Sequence, residues 1–463
     1  MEFSRPTRDW LAATTFATLF LAAVIPAVIH AAIFAFALPE LGPFSISWTT
    51  WAFLILFLAA IVQASFATRN RAWNSLLNWF LGIWLAHWIW GLFITSFGYD
   101  RSSVVVLLRD NTHPAMWTFP LVISVVWWLK PSGVAIRRGL DIAILTIFAI
   151  LGVRILAEPL LPNSLDPFRY TVGWGWLGSP VENPPATQGE PPTHSPDWWL
   201  LWNFAHYGAA VRPSFIFEHA NTLGLFAAFV FVYGLGRGKK LGWGIAALAF
   251  LLLLSSTSRT SFVAAGAGAL VLAFLSFRRK LISQSIRKAL SVAAALVAVI
   301  CTVTLFTRRP GPMGRTAQWE SAIDTFDLAV FTGQGGEAWV REVVSLQPTV
   351  GAQLHNSLLS GLAWGGLAGL TLLGALLVLG AVLALRAVKV GNLASLALLA
   401  TCLVLSITES TFAYRFWSVG NALLLAAVLL SQWRPGETTV RPTAPGAQTA
   451  APRGEPLQTR QPK

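Results

Sequence analysis

Long apolar runs recur along most of this chain, and they decide the solvent in which it folds. A helix needs roughly 20 apolar residues to cross about 30 Å of hydrocarbon. Twelve runs of this kind are legible, near 11–38, 46–67, 73–97, 115–129, 139–161, 220–236, 241–256, 259–276, 289–306, 357–385, 393–412 and 416–432. The fourth, sixth and seventh are short. Residues 241–276 read as two spans, not one long helix, because the polar cluster Ser255-Ser256-Thr257-Ser258-Arg259 interrupts them. The expectation is an all-α polytopic membrane protein with about twelve transmembrane helices. Composition agrees: only 11% of the residues are charged, where a soluble domain carries about a quarter. The mean hydropathy is +0.61. Many of the 22 Trp stand near the ends of runs, where indoles settle at the headgroups. The first run is too long for the apolar region of a signal peptide and reads as a first span. Cys301 and Cys402 both lie inside apolar runs, as packing residues do.

The net charge of +13 would suggest an anionic partner if its carriers were scattered. They are not. With the N-terminus in the cytoplasm, the segments left inside hold 22 of the 33 basic residues and only five acidic ones, a net of +17. The outside segments hold 11 basic and 15 acidic residues, a net of −4. The basic balance is therefore the positive-inside rule at work, and no nucleic acid is expected as a partner. The chain divides into a five-span bundle (1–161), an outside loop (162–219), a four-span segment (220–306), a large outside loop (307–355), a three-span segment (356–433) and a polar cytoplasmic tail (434–463). The first loop contains Asp197-Trp198-Trp199-Leu200-Leu201-Trp202-Asn203-Phe204, which reads as an interfacial helix. The tail is rich in Pro, Thr and Gln and is expected to be disordered.

The exceptions to the charge rule carry the chemistry. Arg212, Arg259, Arg315 and Arg415 fall outside, at or near span ends, and so do His219 and His355. Taken alone, each Arg reads as a side chain reaching for the headgroups, and each His as a structural hydrogen-bonder. His30, His87, His113, His194 and His206 keep that reading. Together, the six groups place cations at one membrane face. An anionic lipid headgroup calls for such a set, because the planar Arg fork binds phosphate bidentately and stays charged.

Five segments then occur in order. They are Arg212-Pro-Ser-Phe-Ile-Phe-Glu218-His219-Ala-Asn221-Thr-Leu-Gly224; Ser258-Arg259-Thr260; Gly314-Arg315 followed by Trp319; Phe331-Thr332-Gly333-Gln-Gly335; and His355-Asn356-Ser-Leu-Leu followed by Gly365-Gly366-Leu-Ala-Gly369. This series resembles the motifs of the O-antigen ligase and O-antigen polymerase superfamily over about residues 205–432. The first 200 residues match it only in being spans. Thr332-Gly333 departs from the family's Gly-x-Gly step, and the outside loop near 98–114 carries no recognisable family motif.

The resemblance implies a largely helical, GT-C-like membrane glycosyltransferase without metal or cofactor. Its donor is a glycan on undecaprenyl diphosphate. Its acceptor is a sugar hydroxyl, such as one on the lipid A core. His355, Arg259 and Arg315 are the implied catalytic residues: His355 takes the hydroxyl proton, and the arginines meet the diphosphate as it leaves. Arg212, His219, Asn221, Asn356 and Arg415 are the implied substrate-binding residues, with Glu218, Glu320, Asp324 and Glu409 in support. Asp324 and Asp327 also read as a solvated helix face. Back-side attack implies inversion at the anomeric carbon. The same resemblance admits a polysaccharide polymerase or a protein O-oligosaccharyltransferase. A transporter would place ionisable residues near the bilayer midplane. Here Asp141 and Arg154 are the main charges within spans, and both lie near ends.

Overall fold

The computed structural model describes residues 5–24, 55–67, 73–97, 114–157, 217, 220–256, 258–279, 319, 330–333, 356–409 and 418–435. Among them there is no strand. In chain order the helices are α1 (Arg5–Leu21), α2 (Ile55–Phe66), α3 (Ser75–Phe97), α4 (Pro114–Leu129), α5 (Gly133–Ala157) and α6 (Ala220–Arg237). They continue with α7 (Lys239–Ser256), α8 (Arg259–Arg279), α9 (Ser357–Lys389), α10 (Leu393–Thr408) and α11 (Val419–Leu429), the last closing in a 3-10 turn, Leu430–Gln432. Among the described residues, four stretches are long and apolar enough to cross a membrane: Ser75–Ile94, Lys239–Ser256, Thr260–Phe277 and Ser357–Lys389. The ninth expected span, 289–306, lies outside the described residues, as do the loop helix at 197–204 and the tail beyond residue 435.

These helices are apolar all round, which suits a bundle bathed in hydrocarbon. One core runs through it and includes Phe20 of α1, Trp84 of α3, Phe119 of α4, Phe226 and Phe229 of α6, and Phe262 of α8. The outward faces are equally apolar: Trp79, Val153, Phe274, Phe277 and Val378 are all exposed. With no hydrophobic drive between apolar helices in lipid, close approach at small residues sets the packing. A Cβ on Gly234 of α6 would come within 2.7 Å of the Gly242 carbonyl oxygen of α7. One on Gly236 would lie 2.7 Å from the Ala394 Cβ of α10. Gly268 of α8 abuts Thr401 and Ala397 of α10.

These contacts fix direction. The end of α7 and the start of α8 both lie at Gly224, near the start of α6, so the chain reverses between Ser256 and Arg259. The two-span reading of 241–276 holds for these helices. At the opposite end, the segments assigned inside gather. Asp141 of α5 accepts from the Tyr233 hydroxyl (2.7 Å) and pairs with Arg237 of α6 (3.4 Å). The Arg137 guanidinium lies 4.5 Å over the Trp433 ring. Asn392, ahead of α10, donates from Nδ2 to the carbonyls of Leu430 (2.6 Å) and Trp433 (3.1 Å). Residues at or beside the ends of the expected spans on this side are thus tied together by hydrogen bonds, an ion pair and a cation–π contact.

Two expected spans change shape. The run 11–38 is not one helix. The helix starts at Arg5 and ends at Leu21, and residues 22–24 form a turn. There Ala23 N donates to Phe20 O and Val24 N to Leu21 O, the tightened bonds of a closing helix. Pro26 follows, and a proline disfavours helical backbone at the residue before it. The run 357–385 is also not one helix, for reasons that bear on the site.

Candidate active site

Three helices start, and one ends, around the Glu409 side chain. Glu409 caps the C-terminus of α10 in extended backbone (φ −145°, ψ 148°) and is only 7% exposed. Its carboxylate Oε1 accepts from Asn221 Nδ2 at 3.4 Å and from Thr260 Oγ1 at 3.3 Å. Its backbone carbonyl accepts from Ser357 Oγ at 2.7 Å. Asn221 and Thr260 are the second residues of α6 and α8, and Ser357 is the first of α9. A buried carboxylate needs such donors, and three helix N-termini add partial positive charge around it.

A line of hydroxyls leads to the same carboxylate. Ser261 Oγ donates to Ser258 Oγ (2.8 Å), which lies 3.2 Å from Thr260 Oγ1. Ser258 N donates to Ser256 Oγ at 3.3 Å. Room for this turn comes from Gly224: a Cβ there would fall 2.7 Å from Ser261 Oγ and 2.8 Å from Ser256 Oγ. The Asn-to-Gly segment 221–224 and the Ser258–Ser261 segment, far apart in sequence, therefore pack on each other.

Asn356 is the N-cap of α9. Its Oδ1 accepts from Leu358 N (2.9 Å) and Leu359 N (3.0 Å), so its carbonyl oxygen is committed to the helix. Among the residues singled out in the sequence, Asn221, Thr260, Asn356 and Glu409 come together here. Arg259 is placed as the first residue of α8, its side chain outside what is described. Arg212, His219, Arg315, His355 and Arg415, with Glu218, Glu320 and Asp324, also lie outside the described residues. Among the described residues, no three His, Cys, Asp or Glu side chains are grouped closely enough to hold a metal ion.

Nine residues into α9 the helix breaks. Gly366 adopts φ 61°, ψ −162°, a conformation that suits glycine alone. The turn at 330–333 fits into the break. Leu367 N donates to Val330 O (2.9 Å) and Ala368 N to Phe331 O (3.3 Å), so amides that have lost their helical partners find others. Gly333, at φ 70°, presses on Gly366, and a Cβ on Gly366 would come within 2.5 Å of Gly333 N. On the other side, Trp90 of α3 donates from Nε1 to the Gly365 carbonyl at 2.8 Å. The segment after the break, 367–389, spans about 34 Å at 1.5 Å per residue, enough to cross the membrane alone. The break thus falls near the Glu409 end. It carries no ionisable residue, since the charges of α9 are Arg386 and Lys389 at its far end.

The segment that carries the serine turn, the break and the 330–333 turn also matches a family model. Residues 244–374 match the family model described as O-Antigen ligase. Over these residues the chain is similar to the O-antigen ligase family. No curated protein matches the chain. The O-antigen ligase match takes in Ser258, Thr260, Asn356, Ser357 and Gly366, whereas Asn221 and Glu409 lie beyond its limits. It indicates activity of the O-antigen ligase and polymerase type in a helical membrane protein. Sequence reading gave Glu409 only a supporting place and missed Ser261, Ser357 and Trp90. The first had one visible signal, a carboxylate closing an apolar run. The others had none.

Proposed function

We propose that this chain transfers a glycan from undecaprenyl diphosphate to a sugar hydroxyl, such as one on the lipid A core, at the outer face of a bacterial inner membrane. The observation that carries the reading is the meeting of three motif-bearing helix starts at Glu409. His219 is two residues before Asn221, Arg259 directly precedes Thr260, and His355 directly precedes Asn356. Each is bound to this cluster by one or two peptide units, about 3.8 Å apiece between Cα atoms. The family match supports the same chemistry.

In this reading His355 removes the proton from the acceptor hydroxyl, and the oxygen attacks the anomeric carbon from the face opposite the diphosphate. The configuration inverts. The C–O bond to the diphosphate breaks, and the leaving group carries its electrons away as an anion. Arg259 and Arg315 stabilise that charge, with Arg212 and Arg415 holding the donor and His219, Asn221 and Asn356 orienting the sugars. Fixed cations in a site shielded from water supply such stabilisation without a metal. Glu409 locks the three helix starts in register, so that groups from separate segments act on one bond.

The test is transfer by the full chain in liposomes loaded with an undecaprenyl-diphosphate-linked oligosaccharide, with acceptors added singly. Product on the lipid A core oligosaccharide is the expected result. Product formed only on a second donor glycan would make the chain a polymerase. Failure with every glycan and glycolipid acceptor would overturn the proposal.

A further inference from the structure

The break in α9 separates a short helical segment, 357–365, from the long one that follows. The short segment begins at Asn356 and Ser357, inside the Glu409 cluster. Its other end is gripped from two sides. Trp90 Nε1 holds the Gly365 carbonyl at 2.8 Å, and the 330–333 turn occupies the gap at Gly366. Nine residues of helix transmit orientation over about 13 Å, so a tilt at Gly365 is felt at Asn356.

The Trp90 bond is specific in form. The ring lies against Gly365 and Gly369, 3.5 Å and 3.7 Å from where Cβ atoms would stand, which is ordinary van der Waals packing. Phe93, one turn further along α3, stacks on Trp90 with centroids 5.5 Å apart and fixes the indole plane. Trp90 is therefore a steered donor aimed at the carbonyl that directly precedes the break. It belongs to the N-terminal spans, outside every recognisable motif and outside the matched family segment.

We infer that Trp90 is a positioning residue for glycan transfer: through the Gly365 carbonyl it sets the angle of segment 357–365 and so the aim of His355. This rests on the role of His355 proposed above. The indole N–H acts through the backbone and touches no substrate. Its loss lets the segment tilt, which misaligns the base with the acceptor hydroxyl and leaves the diphosphate contacts in place. Misplacement on the scale of 1 Å can cost about 100-fold in rate.

The experiment compares wild type, Trp90→Phe, Gly333→Ala, their double variant and His355→Ala, each as the full chain in nanodiscs. Donor affinity and single-turnover rate are measured with the undecaprenyl-diphosphate-linked oligosaccharide and a saturating lipid A core acceptor. Trp90→Phe keeps an aromatic ring at this position but removes the N–H donor together with the pyrrole half of the indole. It should lower the rate about 10- to 100-fold with donor affinity within about twofold of wild type. The double variant should fall short of the product of the two single effects, because both substitutions loosen the same joint. A Trp90→Phe rate within about twofold of wild type, beside an inactive His355→Ala, would overturn this inference alone. Equal losses of donor affinity and rate in Trp90→Phe would overturn it too, since they would mean a general defect. Full activity of His355→Ala would overturn the reading of the site and this inference with it.

Discussion

His355 stands one peptide bond before the residue that caps α9, and that short tether shapes what its removal should do. A general base acts on the acceptor mainly in the transition state, so its loss falls on turnover and spares donor binding. His355→Ala should cut single-turnover transfer by about 10²–10⁴-fold with donor affinity near wild type. Arg259→Ala and Arg315→Ala should weaken both, because a diphosphate-binding guanidinium meets charge in the ground state as well as in the leaving group. Arg315→Lys should recover only part of the loss, since the ammonium keeps the charge without the fork. Affinity and single-turnover measurements on each variant check the pattern. An inactive His219→Ala beside an active His355→Ala would reassign the base. At this scale the sequence was partly legible. Asn221, Arg259 and Asn356 were visible because their motifs pair a polar residue with the start of an apolar run. Ser357 and Ser261 were not, because a serine inside an apolar helix looks the same whether it packs idly or bonds across to another helix.

Helix ends show the same contrast. The reversal between α7 and α8 was legible in five consecutive polar residues. The break at Gly366 was not, because Trp364-Gly365-Gly366-Leu367 sits in an unbroken apolar run and the partners that make a break tolerable lie elsewhere, one of them 275 positions away. The end of α1 at Leu21 was marked by Pro26, but the run around it is apolar enough to mask the signal. Asn392 offers a test at this scale. Its Nδ2 bonds two carbonyls after α11 and its Oδ1 caps Ser395 N, so it joins the start of α10 to the end of the bundle. Asn392→Ala should cost about 1–3 kcal/mol by stranding buried polar groups. The loss should appear as a lower melting temperature in detergent, with transfer per folded molecule unchanged.

For the whole molecule, the distribution of Lys and Arg fixes an expectation about sidedness that labelling checks directly. Cys introduced at Ser345 should react with an impermeant maleimide in intact spheroplasts, and Cys at Thr449 should react only after lysis. The reverse pattern would invert the topology. Transfer should also survive EDTA, because guanidinium groups do the work of a divalent ion in the proposed site. Loss of transfer in EDTA, restored by magnesium or manganese, would show that a metal takes part. The order in which the bundle is made also matters. Trp90, Val330 and Phe331, which satisfy the backbone around Gly366, all precede α9 in the chain. Synthesis runs from the N-terminus, so each is already made when the broken segment leaves the ribosome. An interrupted helix entering lipid without those partners would strand bare amides in hydrocarbon. A circular permutant that moved residues 330–333 behind α9 would create that interval and make the break a point of failure during biogenesis.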